Sequence, residues 1–405
     1  MIGTSSQKIC TRRYLTEYSR NLPLRYIVLI RMRIIIATPL YPPEIGGPAT
    51  YAKTLEGELP QLGVEAHVVA FSLTKNFPKY LRHMVYAYHL FRATSGADII
   101  LALDPVSVGL PALLVAMVRG KKFVVKVVGD YAWEQGQQRF GVKVNLDEFV
   151  RLPSTKFLAQ VGVLRMVQTF VAGRAARIIV PSKYLKGVVA AWGISEEKIS
   201  VIYNAFAGVV RMSECDTVRK ELSLPPSAPV LVSAGRLVPW KGFPVLIAVV
   251  EKLRKDYPDI KLFIAGGGPD EAALRALVVE KNLASTIVLL GNTQRDVLMK
   301  YVRAADGFVL NTGYEGLSHQ LLEVLAVGTP IVTTAVGGNV EIVEHNVTGI
   351  LVPFNDEAKL EEATRSVIDD KERSAQMATR GKEFVAQFTV ERMVRETSDL
   401  LSSIT

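Results

Sequence analysis

Residues 230–255 read VLVSAGRLVPWKGFPVLIAVVEKLRK. Five residues of strand character end at Gly235-Arg236, Lys241-Gly242 follows, and an amphipathic pattern then runs over 245–255. A short apolar run that passes through a glycine turn into a helical period is a βα unit, and repeats of that unit build a parallel sheet. The pattern recurs through the C-terminal half. It predicts strands over 230–234, 261–265, 287–290, 307–311, 330–333 and 349–352, with helices over 245–255, 270–281, 294–304 and 318–327.

The N-terminal half shows the same alternation. Strands are expected over 33–37, 66–71, 98–103, 123–128 and 177–180, and helices over 50–62, 106–118 and 156–173. The two series meet in a polar stretch that ends at Leu224-Pro225-Pro226. At 405 residues and 49% hydrophobic content the chain can fill two cores. The fold class expected is α/β, with two doubly wound domains over 32–205 and 206–387 and a ligand at the carboxyl ends of the strands, in the cleft between them. Met32-Arg33 followed by three isoleucines reads as a natural start, so residues 1–31 are either a misassigned start or a basic arm.

Only Cys10 and Cys215 occur, which gives no disulfide framework or cysteine-rich metal site and fits a reducing, cytoplasmic compartment. The best membrane-spanning candidate, 99–118, carries Asp104, Pro105 and Pro111, and 26–36 is cut by Arg31 and Arg33, so no spanning helix is expected. Residues 1–205 hold 26 Lys and Arg against 13 Asp and Glu, whereas 206–405 hold 22 against 26. The basic half favours an anionic partner or surface. Residues 75–92 combine Lys75, Lys79, Arg82 and Arg92 with Phe77, Tyr80, Tyr86, Tyr88 and Phe91. Such a helix can lie on an anionic membrane, although Leu81, Met84, Val85, Tyr88 and Phe91 also fit a core-facing stripe. Nucleic acid is not an expected partner.

Four motifs carry chemistry. After the first strand, Pro42-Pro43-Glu44-Ile45-Gly46-Gly47-Pro48 brings paired glycines to a helix start, where backbone amides can approach a phosphate or simply make a tight turn. Arg236 and Lys241, at the end of a first strand, suit a diphosphate that must be held and then stabilised as it leaves. Gly266-Gly267-Gly268-Pro269-Asp270 departs from G-x-G-x-x-G and argues against NAD. Glu315 lies in a loop ahead of a helix carrying Glu323, a lone carboxylate among Leu321, Leu322, Val324 and Leu325. Buried there, Glu323 needs a polar partner, either an internal one or a ligand. Helix-start amides at 317–319 adjoin Glu315, and His319 reads more readily as a cap than as a functional group.

Residues 41–48, Gly235-Arg236 with Lys241-Gly242, 266–269, and Glu315 to Glu323 followed by Gly328-Thr329-Pro330 together resemble the family 4 retaining glycosyltransferases of the GT-B fold, the glycosyl transferases group 1. The resemblance runs from about Met32 to the C-terminus. It implies two Rossmann-like domains facing a central cleft, with a last helix, about 388–405, that can pack back on the N-terminal domain. It also implies a nucleotide-sugar donor on the C-terminal domain, a glycan or lipid-linked acceptor on the N-terminal one, and neither cofactor nor metal.

By the same resemblance, Arg236 and Lys241 would hold the diphosphate, Glu315 the sugar hydroxyls and Glu323 the ribose. Gly46 and Gly47 would approach the diphosphate from the opposite domain. Gly235, Gly267, Gly268, Gly316, Leu317 and Ser318 complete the donor-binding set. Relatives place a histidine after the strand corresponding to 123–128, and here Asp130 is the nearest equivalent, with its role as base, stabiliser or acceptor contact left open. No residue is an obvious glycosyl nucleophile, so front-face transfer in polysaccharide or glycolipid assembly is expected. A sugar nucleotide 2-epimerase and a noncatalytic sugar-nucleotide-binding subunit are the alternatives.

Overall fold

The computed structural model describes residues 31–405, apart from 45, 79–80 and 207–212. The expectations for residues 1–30, Cys10 included, and for Ile45, Lys79 and Tyr80 lie outside the described residues.

Two six-stranded parallel sheets form the chain. The first holds β1 (Met32–Thr38), β2 (Val64–Ala70), β3 (Ile99–Ala102), β4 (Lys122–Lys126), β5 (Arg177–Val180) and β6 (Ile199–Val201), in the order β2-β1-β3-β4-β5-β6. The second holds β7 (Val230–Ala234), β8 (Lys261–Ala265), β9 (Ile287–Gly291), β10 (Gly307–Leu310), β11 (Ile331–Thr334) and β12 (Ile350–Val352), in the order β12-β11-β10-β7-β8-β9. Nearly every residue of β3, β7 and β10 is buried, as strands covered by helices on both faces require. Each sheet reverses its winding once, between β1 and β3 and between β7 and β10. Loops leaving the two strands at such a reversal diverge and open a crevice at their carboxyl ends.

The chain also returns to its first half. Its last helix, Val390–Ser402, sends Met393, Val394 and Leu401 into a cluster with Met32, Ile34 and Tyr51. The Tyr51 and Thr397 hydroxyls stand 3.4 Å apart within it.

Two departures from the sequence reading shape the cleft. The strand expected over 123–128 ends at Lys126, and Val128 is already partly exposed as the chain turns away. The helix Tyr131–Arg139 that follows was not expected, because YAWEQGQQR has no apolar period. It forms because Asp130 caps it, accepting from Trp133 N at 2.9 Å, and because Trp133 anchors it against Trp240 and Tyr314 of the other half, both at 5.1 Å between ring centroids.

Candidate active site

Both reversals open toward the same space. The loop after β7 passes through a single turn, Pro239–Lys241, closed by Gly242 at φ 55°. A side chain at 242 would be strained, and its Cβ would also fall 2.4 Å from Asn311 Nδ2. This turn aims Lys241 back across the strand end. The loop after β10 is fixed by Thr312 Oγ1 donating to Tyr314 O at 2.9 Å and by Gly338 N donating to Glu315 O at 2.9 Å. Glu315 thereby meets Lys241 in an ion pair whose side chains are 15% and 11% exposed.

A cavity of about 250 Å³ lies beside this pair, walled by both halves of the chain. Gly47, Arg236, Lys241, Glu315, Gly316 and Leu317 line it. Arg236 also reaches across the cleft, donating from Nη2 to Gln138 Oε1 at 2.9 Å. The start of the helix Gly47–Glu58 approaches the start of His319–Val327 so closely that a Cβ on Gly47 would lie 3.6 Å from His319 Nε2.

The remaining expected residues stand outside the lining. Gly46 caps the first helix, and Ser318 caps the helix at 319, its Oγ accepting from Leu321 N at 3.3 Å. Gly235, Gly267 and Gly268 fix the backbone on either side of Arg236: Gly235 N donates to Ala265 O at 2.9 Å, Leu237 N donates to Gly267 O at 3.0 Å, and a Cβ on Gly268 would meet Leu237 O at 2.3 Å. Glu323 pairs with Arg295 on the neighbouring helix, so the polar partner that its apolar surroundings demand is an arginine of this chain.

The structure sets Asp130 behind the cavity lining. Its carboxylate is buried, accepts from Trp133 N at 2.9 Å and Trp192 Nε1 at 3.0 Å, and does not line the cavity. The acid of this segment that does line it is Glu134, one turn further along the same helix. Burial pushes the Glu134 carboxyl up to about 7, the Asp130 carboxylate adding to the effect and Arg236 opposing it. Gly129 makes room for it, since a Cβ there would fall 2.4 Å from Glu134 Oε1 and 2.8 Å from the Tyr314 hydroxyl. Among the described residues none offers that buried Tyr314 hydroxyl a hydrogen bond.

Two further lining residues were not singled out, or were read as caps. His319 faces the cavity, its imidazole pushed down to about 4 by burial and by Lys126, and so is neutral. Lys126 ends β4 inside the same cavity. The signal for Lys126 was present in Phe-Val-Val-Lys-Val-Val: a charge in a strand buried on both faces must be paired or lie at an opening. Among the described residues no group of three or more His, Cys, Asp or Glu side chains is arranged to hold a metal ion.

Comparison with known proteins agrees with this architecture. Residues 45–206 match the family described as Glycosyltransferase Family 4, and residues 215–384 match Glycosyl transferases group 1. The lipopolysaccharide core biosynthesis glycosyltransferase LpsE of Rhizobium meliloti is 31% identical over 209 residues, 51% of this chain and 59% of that protein. The chain spans about half the length of the curated relatives it matches. Sucrose-phosphate synthase from Thermosynechococcus elongatus superimposes with a TM-score of 0.76 at 19% identity, over 92% of this chain and 99% of that one. Anabaena HepE in complex with UDP-glucose superimposes at 0.72 and 19% identity, over 92% of this chain and all of that one.

Proposed function

Because the chain belongs to the family 4 glycosyltransferases and has their GT-B fold, we propose that it transfers a sugar from a nucleoside diphosphate sugar to an acceptor hydroxyl, with retention and without a metal. The observation that carries this reading is the placing of Arg236 and the Lys241–Glu315 pair after the two strand ends at the second reversal, facing the first domain across the cavity. The diphosphate takes Arg236, Lys241 and the amides of 316–319. Glu315, released from Lys241, takes sugar hydroxyls, and Glu323 takes the ribose.

The acceptor oxygen bonds to the anomeric carbon on the face from which the phosphate oxygen departs, and the acceptor proton passes to that oxygen. Arg236 and Lys241 stabilise the charge that develops on the leaving diphosphate. Tyr131–Arg139 presents Glu134 to the acceptor side, in the place expected for Asp130. A raised carboxyl can donate a hydrogen bond to an acceptor oxygen while it is protonated.

LpsE acts in lipopolysaccharide core synthesis, and HepE was solved with UDP-glucose. These support a glycolipid or polysaccharide acceptor and a nucleotide-sugar donor. Exposed apolar side chains on Arg82–Ala93 and Gly109–Arg119, with Met84 at 69% and Val118 at 76%, support work at the inner face of an anionic membrane. No helix among the described residues is long and apolar enough to cross one. The decisive experiment is a thermal-shift panel of nucleotide sugars, followed by assay of the stabilising donor for slow release of free sugar. A chain stabilised by none of them is not this enzyme.

A further inference from the structure

Lys126 is 2% exposed and still lines the cavity. Its ammonium donates to Asn204 Oδ1 at 3.0 Å and stands 3.8 Å from the centroid of the Tyr51 ring. Both partners are neutral, and no carboxylate among the described residues pairs with it. Burial alone pushes Lys126 down to about 7. Holding the charge there is costly without a counter-anion, so Lys126 either gives up its proton or takes an anion as a ligand, and its place in the lining of a cavity favours the second.

The surroundings suit a phosphate. Two helices from opposite domains, Gly47–Glu58 and His319–Val327, bring their N-termini together at the same cavity, and each adds positive potential there. Neutral His319 can accept or donate one hydrogen bond without competing as a second cation. On the opposite side, Lys241 is already neutralised by Glu315.

We propose that Lys126 is a phosphate-binding residue supplied by the N-terminal domain, whose ammonium grips the donor diphosphate from the side opposite Arg236 and Lys241. This rests on the nucleotide-sugar reading above. The diphosphate then bridges cations of both domains, so donor binding itself holds the cleft closed around the reacting groups.

Inorganic pyrophosphate tests the idea without knowledge of the base or sugar. Its binding to the full chain is measured by thermal shift for the wild type, Lys126→Met, Lys241→Met and Asn204→Asp. Lys126→Met removes an unpaired buried charge at nearly constant volume, so the unliganded protein should melt no lower than the wild type. Its pyrophosphate affinity should fall about tenfold to a hundredfold, as expected for loss of a charged hydrogen bond. Asn204→Asp gives Lys126 an internal counter-ion, and it should raise the unliganded melting temperature while weakening pyrophosphate binding.

Wild-type affinity in Lys126→Met, alongside a loss in Lys241→Met, would overturn the role of Lys126 and leave the donor reading standing. If Lys126→Met does not fold, unchanged pyrophosphate affinity in Asn204→Asp overturns it. A wild type stabilised by neither pyrophosphate, UDP nor GDP removes the donor reading and this inference together.

Discussion

The Lys241 ammonium and the Glu315 carboxylate join the ends of β7 and β10, the two strands between which the second sheet reverses its winding. Each satisfies the other. A donor offers each a better partner, phosphate for the lysine and sugar hydroxyls for the glutamate. Lys241→Ala should therefore do two things. It should slow turnover roughly a hundredfold to a thousandfold, as loss of a preorganised charged donor does. It should also destabilise the empty protein by about 3 kcal/mol, because it strands a largely buried carboxylate. Arg236→Ala should slow turnover to the same degree with little loss of stability, since its contact to Gln138 is exposed. Near-normal turnover in either folded variant would remove these residues from the diphosphate site.

Glu134 predicts a pH dependence. The groups acting on it are the carboxylates of Asp130, Asp104 and Glu315 and the guanidinium of Arg236, with the Tyr314 hydroxyl beside it. Its folded value, about 7, lies above its ordinary value of 4.5. The folded state thus holds the proton more tightly than the unfolded chain. The stability it contributes is complete below the ordinary value and is lost as pH rises toward the folded one. Melting temperatures followed from pH 4 to pH 8 should fall for the wild type relative to Glu134→Gln across this window. Parallel curves would mean that Glu134 titrates normally.

Asp130 predicts the opposite kind of result. As a helix cap its loss should cost about 1 kcal/mol, with a further cost for leaving Trp192 Nε1 without an acceptor. Asp130→Asn keeps one acceptor oxygen, which can serve Trp133 N, but turns its NH2 toward Trp192 Nε1, so it should lose about 1–3 kcal/mol of stability while retaining most of the turnover. A drop in turnover of a hundredfold or more in a well-folded Asp130→Asn would restore it to the catalytic set.

The contrast between these two acids shows what the sequence could and could not reveal. Strand ends such as Val230–Ala234 and Lys261–Ala265 were legible because a buried parallel strand is a short apolar run cut off by glycine. Arg236, Lys241 and Glu315 were legible because they sit at those ends. Asp130 and Glu134 are four residues apart on a polar segment whose helix exists only through a cap and through Trp133 packing against Trp240 and Tyr314. Which of the two faces the cleft depends on that cross-domain contact, which no local pattern encodes. Lys126 was legible as a charge inside an apolar run but not as a strand end, because its strand ends two residues earlier than the run does.

Glu323 faces Arg295, yet lies on the helix whose first turn lines the cavity. If it also accepts from the ribose, Glu323→Gln should raise the donor KM about tenfold, the worth of a charged hydrogen bond, and leave kcat near the wild-type value. Steady-state kinetics with the stabilising donor separates the two. A fall in kcat at unchanged KM would place Glu323 in the chemical step instead.

The outer face of the N-terminal domain predicts membrane binding that can be removed without touching the cleft. Met84 and Tyr88 are exposed on Arg82–Ala93, which packs against Gly109–Arg119, where Leu114, Met117 and Val118 are exposed, and the Arg119 guanidinium covers the Phe91 ring at 3.6 Å from its centroid. Arginine stacked in this way holds a positive charge at the rim of an apolar patch, which suits a negatively charged surface better than a protein core. The full chain should sediment with vesicles containing anionic lipid, less so as salt is raised, and not with purely zwitterionic ones. Each charge placed near such a surface changes binding by about 1 kcal/mol, so Met84→Asp with Val118→Asp should weaken it roughly thirtyfold. Donor hydrolysis should be unaffected, because neither residue lines the cavity. Sedimentation that ignores both salt and lipid charge would remove the anionic-surface reading, and no sedimentation with any vesicle would make the patch a contact for something other than a membrane.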